Sequence, residues 1–139
     1  IALLPTFSAT MHNALGTEFS NVRGAGSPEK IASSIDVGFS ITPQVTTRSR
    51  LHLEVNYKDI SREFSDVDNS RRLLLGAEWD FYRALFIRLG YGDGFGSFGL
   101  GARGKSFQFD ISTYAVDSTA RTFRGEEDRR FAFSFSAGL

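Results

Sequence analysis

The chain has 139 residues, with 16 basic side chains against 16 acidic ones and no cysteine. The length suits one domain, and the balanced charge gives no field that would favour nucleic acid or an anionic surface. Without cysteine there is no disulfide framework, thiolate zinc site or cysteine nucleophile, and no apolar run approaches the roughly 20 residues of a transmembrane helix.

The chain opens at Ile1 without an initiator methionine, which reads either as a removed signal peptide or as a piece of something longer. Eight segments then alternate apolar and polar residues with a period of two, near 4–12, 31–42, 49–58, 71–80, 83–91, 97–104, 106–116 and 129–139. Helical periodicity appears nowhere. In chain order the apolar set is Phe7, Ala9 and Met11; Ile35, Val37, Phe39 and Ile41; Leu51, Leu53, Val55 and Tyr57; Leu73, Leu75, Ala77 and Trp79. It continues with Leu85, Ile87, Leu89 and Tyr91; Phe98, Leu100 and Ala102; Phe107, Phe109, Ile111 and Ala115; and Phe131, Phe133, Phe135 and Leu139. None of these carries a charge at neutral pH. The opposite set holds Asp36, Glu54, Glu78, Asp80 and Asp110 against Arg50, Lys58, Arg88, Arg103 and Arg130, with His52 among them. Small residues such as Gly38, Ser40, Gly76, Gly90, Gly99, Gly101, Ser112 and Ser134 fill the rest of it.

A strand with one greasy and one charged face must choose which side meets water. The expectation is an all-β, antiparallel transmembrane β-barrel of about eight up-and-down strands, forming one domain over 1–139. It would be either complete in this chain or the carboxyl-terminal part of a larger barrel. Lipid meets the apolar face, because an Arg or Lys near the bilayer midplane costs about 2–4 kcal/mol. The charged residues become a barrel-interior network, which must be paired or wet. Connections alternate in size: long at 13–30, 59–70 and 117–128, moderate at 92–96, shorter at 43–48, tight at 81–82 and minimal at 105. Outer-membrane barrels put the short turns on the periplasmic side. Tyr57, Trp79, Tyr91 and Phe131 are the expected lipid-facing aromatic belt.

A soluble lipocalin-like or fatty-acid-binding-like carrier is the alternative, with the faces reversed. Its outer surface would carry long Lys and Glu side chains rather than the small residues found here. An outer-membrane lipid-modifying enzyme is the second alternative, needing His52, Glu54 and a serine from a neighbouring strand. Two G-x-G-x-x-G runs, Gly94 to Gly99 and Gly99 to Gly104, lead into another strand rather than a helix, so they read as hairpin glycines. Asp66, Asp68 and Ser70 resemble the start of a calcium loop but lack its glycine and distant glutamate. No catalytic residue, cofactor or metal is therefore expected.

Three stretches carry a family resemblance: Phe7 to Phe19, Ile35 to Pro43 and Leu51 to Asp59. With Leu75-Gly-Ala-Glu-Trp79, Ile87-Arg-Leu-Gly-Tyr-Gly-Asp-Gly94 and Phe98-Gly-Leu-Gly-Ala-Arg103, the chain resembles the later strands of the FadL-like outer-membrane β-barrel family. That group includes the long-chain fatty-acid transporters and the PorV- and TraF-like barrels. Those barrels are larger and carry an amino-terminal plug, for which this chain has no counterpart. The resemblance implies a bacterial outer-membrane protein of a Gram-negative envelope, with porin-like transport or a scaffold role in an envelope complex. Its partners would be the lipid bilayer and other envelope proteins, through loops 13–30, 59–70 and 117–128. No nucleic acid and no enzymatic activity are expected.

Overall fold

In the computed structural model the described residues are 3–18, 20, 30–63, 67–118 and 127–138. The strands are β1 (Pro5–His12), β2 (Ser34–Ile41), β3 (Gln44–Thr46), β4 (Ser49–Tyr57), β5 (Leu73–Phe81), β6 (Leu85–Gly92), β7 (Phe95–Arg103), β8 (Phe107–Asp117) and β9 (Glu127–Ala137). A single helical turn, α1 (Asn69–Arg72), precedes β5. Each of the eight alternating segments becomes a strand, because branched and aromatic residues every second position suit a pleated surface. Two elements were not foreseen. β3 adds a short strand inside the 43–48 connection, and α1 is too short to leave a period in the sequence. Its signal is Asp68, whose carboxylate caps the turn by accepting from Asn69 N at 2.8 Å. Bonded first of all by the Ser70 hydroxyl, Asp68 titrates below the ordinary carboxylate range. Its contribution is thus present at neutral pH and lost as pH falls through that lowered value.

All pairings are antiparallel, in the order β1-β2-β4-β5-β6-β7-β8-β9, with β3 paired to β4. The registers carry the two sequence patterns across the whole sheet. Glu54 stands opposite Gly76, which stands opposite Gly90, while on the other face Leu53, Ala77, Leu89 and Phe98 follow one another. The expected closure into an eight-stranded barrel is absent among the described residues. β1 pairs only with β2 and β9 only with β8, leaving two open edges.

The sheet is one layer thick. Phe95, at 4% exposure, is the one buried large apolar residue among the described residues, whereas Leu89 is 58%, Phe133 68% and Phe7 80% exposed. The charge-free face also needs a correction. At one end of β9 it carries Glu127 and Arg129, which the pairings Asp117 with Glu127 and Ala115 with Arg129 set in line with Phe131 and Phe133. Below that level this face of the eight principal strands holds no Asp, Glu, Lys, Arg or His among the described residues.

The long connections gather at one end of the sheet, where β1 joins β2, β4 joins β5 and β8 joins β9; the connections 42–48, 82–84 and 104–106 lie at the other. The moderate loop expected at 92–96 is instead a two-residue turn. Asp93 and Gly94 both have positive φ, at 51° and 87°, the conformation of the hairpin turn that matches strand twist. Gly94→Val forces a branched side chain into that region and is expected to lower stability by about 1–2 kcal/mol, read from the urea midpoint of the refolded protein.

Candidate functional site

Arg88 organises the middle of the polar face. It lies on β6 opposite Glu78 of β5 and Gly99 of β7. Its Nε donates to Glu78 Oε2 at 2.6 Å, and its Nη1 passes over β7 to donate to Asp110 Oδ1 of β8 at 2.7 Å. The crossing requires β7 to be bare beneath the guanidinium: a Cβ on Gly101 would stand 2.5 Å from Asp110 Oδ1. Gln108 donates to the other Asp110 oxygen at 2.9 Å and accepts from Arg103 Nε at 3.3 Å. Phe86 lies beneath both cations, its ring centre 5.6 Å from the Arg88 guanidinium and 5.3 Å from that of Arg103.

The remaining expected residues find different partners. His52 bonds Thr42 Oγ1 through Nδ1 at 2.8 Å, and its Nε2 is 3.5 Å from Glu54 Oε2. The hydroxyl beside His52 is therefore a threonine's, where the enzymatic alternative required a serine. Glu54 also accepts from Asn56 at 2.6 Å. Asp80 caps the adjoining turn by accepting from Arg83 N at 2.7 Å, and Arg50 stands opposite it on β4. Arg130 pairs with Asp128 at 2.8 Å. Of the ten charges expected to neutralise one another, only Arg88, Glu78 and Asp110 do so directly.

At the long-loop end the polar face joins two residues of the strand pattern, Asp36 and Lys58, to Asp59, Arg71 and Arg72 of the β4–β5 connection, which the pattern did not flag. Asp36 of β2 is the hinge of this cluster. One oxygen bonds His12 Nε2 on β1 at 2.9 Å, and the other accepts from Asp59 N at 2.8 Å. Asp59 in turn accepts from Arg72 at 2.6 Å, with the two side chains 9% and 3% exposed. Arg72 also donates to the carbonyls of Asp59 and Val67, at 2.7 and 3.2 Å. Removing one partner of so buried a pair typically costs about 3–5 kcal/mol. Lys58 approaches Asp93 at 3.8 Å, and Arg71 of α1 reaches Asp117 of β8 at 3.4 Å. These residues surround a cavity of about 300 Å³ lined by His12, Ser34, Asp36, Lys58, Asp59 and Asp93 among others. His12, Ser34, Asp36 and Lys58 fall within the alternating segments, whereas Asp59 and Asp93 lie in connections outside any periodic run and Arg71 and Arg72 belong to the helical turn before β5.

The apolar face bears the expected aromatic residues. Trp79 stacks on Phe81 at 4.3 Å and donates to Ser49 Oγ at 2.8 Å; Tyr57 donates to Asn69 Oδ1 at 3.2 Å. Tyr91 is half-buried, and Phe131 stands 77% exposed on the edge strand. A shallow groove of about 530 Å³ crosses this face between Phe39, Leu53, Val55, Leu75, Ala77 and Leu89. Of the three loops expected to meet partners, residues 19, 21–29, 64–66 and 119–126 lie outside the described residues, Asp66 of the calcium-like run among them, as does Leu139. Among the described residues no cluster of His, Asp and Glu has the arrangement of a metal site.

Set against known proteins, the chain matches no family model, no curated protein and no solved structure. In a double-mutant cycle, Arg88→Met and Asp110→Asn are expected to couple by about 1 kcal/mol, discounted for their partial exposure, and to couple less at high salt. Urea midpoints of the four proteins measure it.

Proposed function

We propose that this chain forms wall of an outer-membrane β-barrel, its apolar face toward lipid and its polar face toward an aqueous lumen, and that it serves transport across the envelope. The carrying observation is the single-layer sheet whose apolar face is exposed and charge-free below Arg129, with no second layer to cover it among the described residues. In water such a face would be a large aggregation-prone patch; in a bilayer it is the expected surface. Strand length agrees. β5 has nine residues, about 30 Å when extended, and a tilt of about 35–45° brings that close to the roughly 25 Å apolar band of such barrels.

Arg129 and Glu127 then mark the polar boundary on the long-loop side, and Trp79, Phe81 and the exposed Tyr82 the opposite one. Bilayer interiors admit no unpaired strand edge, so β1 and β9 must be paired there, with each other or with further strands. Half-exposed side chains at Arg88, Glu78 and His52 favour a wet lumen over a filled interior. A scaffold role in an envelope complex is the second reading, supported by the long connections collected at one end. Replacing each long loop and measuring complex recovery separates it from transport.

The test uses Leu89, which is already 58% exposed. In a water-soluble sheet Leu89→Arg is neutral or favourable. In the bilayer it is expected to destabilise by about 2–4 kcal/mol, measured by refolding into phospholipid vesicles. Wild-type protein should also migrate differently in detergent gels before and after heating; a chain that stays monomeric and soluble without detergent would sink the proposal.

A further inference from the structure

We infer that Arg48, Arg50 and Arg83 form a binding site for the phosphate group of a small water-soluble solute, at the short-turn end of the polar face. This names a solute class for the transport reading proposed above and in that respect rests on it.

Charge singles out this end. Residues 42–50, 80–84 and 103–106 hold five bases, Arg48, Arg50, Arg83, Arg103 and Lys105, against one acid, Asp80. None of the five forms an ion pair among the described residues. At the opposite end Lys58, Arg71, Arg72, Arg129 and Arg130 each reach a carboxylate, and midway Arg88 reaches two. The surplus is therefore local to one rim of a chain that is neutral as a whole. Asp80 cannot neutralise all its neighbours, and one of its oxygens already accepts from Arg83 N at 2.7 Å.

Geometry gathers three of these cations. Thr47, Arg48, Arg50, Asp80, Tyr82 and Arg83 line one cavity of about 310 Å³, at the low end for a small-molecule site. Tyr82 N donates to Arg48 O at 2.7 Å, which fastens the 42–48 connection to the 82–84 turn. The Arg48 guanidinium lies 5.8 Å from the Tyr82 ring centre, so the ring holds its face and leaves its N–H edge to donate. A guanidinium fork matches an oxyanion. Three of them beside the Thr47 and Tyr82 hydroxyls suit a phosphate, which offers more charge and more oxygens than a carboxylate.

The backbone of the turn is a separate sign. Tyr82 and Arg83 both hold positive φ, at 56°, and Ala84 N donates to Phe81 O at 3.0 Å. Two-residue turns of this kind favour Asn-Gly, and large side chains in them are strained. Tyr82 is 66% exposed, so burial does not account for its place there; lining the cavity does. Arg50 and Asp80 belong to the polar face, so a solute in water reaches this cavity while acyl chains on the apolar face do not.

The test is calorimetric titration of inorganic phosphate into the full chain refolded in a neutral detergent. Wild type is expected to bind saturably, Arg48→Gln and Arg83→Gln several-fold more weakly, and Arg62→Gln, an exposed cation at the opposite end, like wild type. The double variant Tyr82→Asn with Arg83→Gly is expected to lose binding while its urea midpoint rises, a pairing that a purely structural role does not produce. Absence of phosphate binding by wild type, or an equal loss in Arg62→Gln, overturns the site. A parallel titration uses phosphatidic acid in the same micelles, because a lipid headgroup carries the same group; binding of that lipid without binding of phosphate also overturns the inference. Should Arg48→Gln fail to refold, Arg83→Gln and the double variant decide. If heating leaves gel migration unchanged while phosphate binds as expected, the barrel reading falls and the site stands.

Discussion

A β-sheet one layer thick satisfies its backbone by lateral pairing but can bury neither of its faces against itself, and that constraint governs everything else in this molecule. Eight principal strands exchange hydrogen bonds in an unbroken antiparallel path, so the main chain is content except at two edges. The side chains are not. Hydrophobic free energy on the scale of about 25 cal/mol per Å² is gained only when a surface leaves water, and among the described residues the apolar face has no protein layer to leave with. Whatever covers it lies outside the layer that these strands form. The charges obey the complementary rule: they collect on the other face, and where they draw together, at Arg88 and at Arg72, each cation serves two or more acceptors.

Much of this was legible in the sequence because period-two alternation reports a face directly. Leu85, Ile87, Leu89 and Tyr91 need no context to be assigned to one side of a strand, and pairing then propagates that assignment to every neighbour. Strand ends were less legible. Ile31 was assigned to a strand, yet it forms an isolated bridge with Thr17 while β2 begins at Ser34. Arg129 was overlooked as a member of the apolar stripe because a stripe leaving its apolar zone keeps its period while changing its chemistry.

Partners across the sheet were the least legible. Equal numbers of acids and bases suggest mutual neutralisation, but a long guanidinium chooses by reach and clearance. Arg88 takes Asp110 two strands away because Gly99 and Gly101 leave the path open. Asp36 spends both oxygens on an imidazole and a main-chain amide. The cluster around Arg72 depends on a left-handed residue and one helical turn, neither of which has a period to detect.

The two-residue turn at Asp93 and Gly94 is the shortest connection at an end otherwise furnished with long ones. It adds little height to the sheet between β6 and β7, like a notch in a parapet. Arg71 and Asp117 meet at 3.4 Å although β6 and β7 lie between their strands in the sheet order. The sheet therefore curves enough across these four strands for a side chain just before β5 to touch one at the end of β8. With so short a connection between β6 and β7, it is the bend of the sheet that decides which ends of its strands can meet.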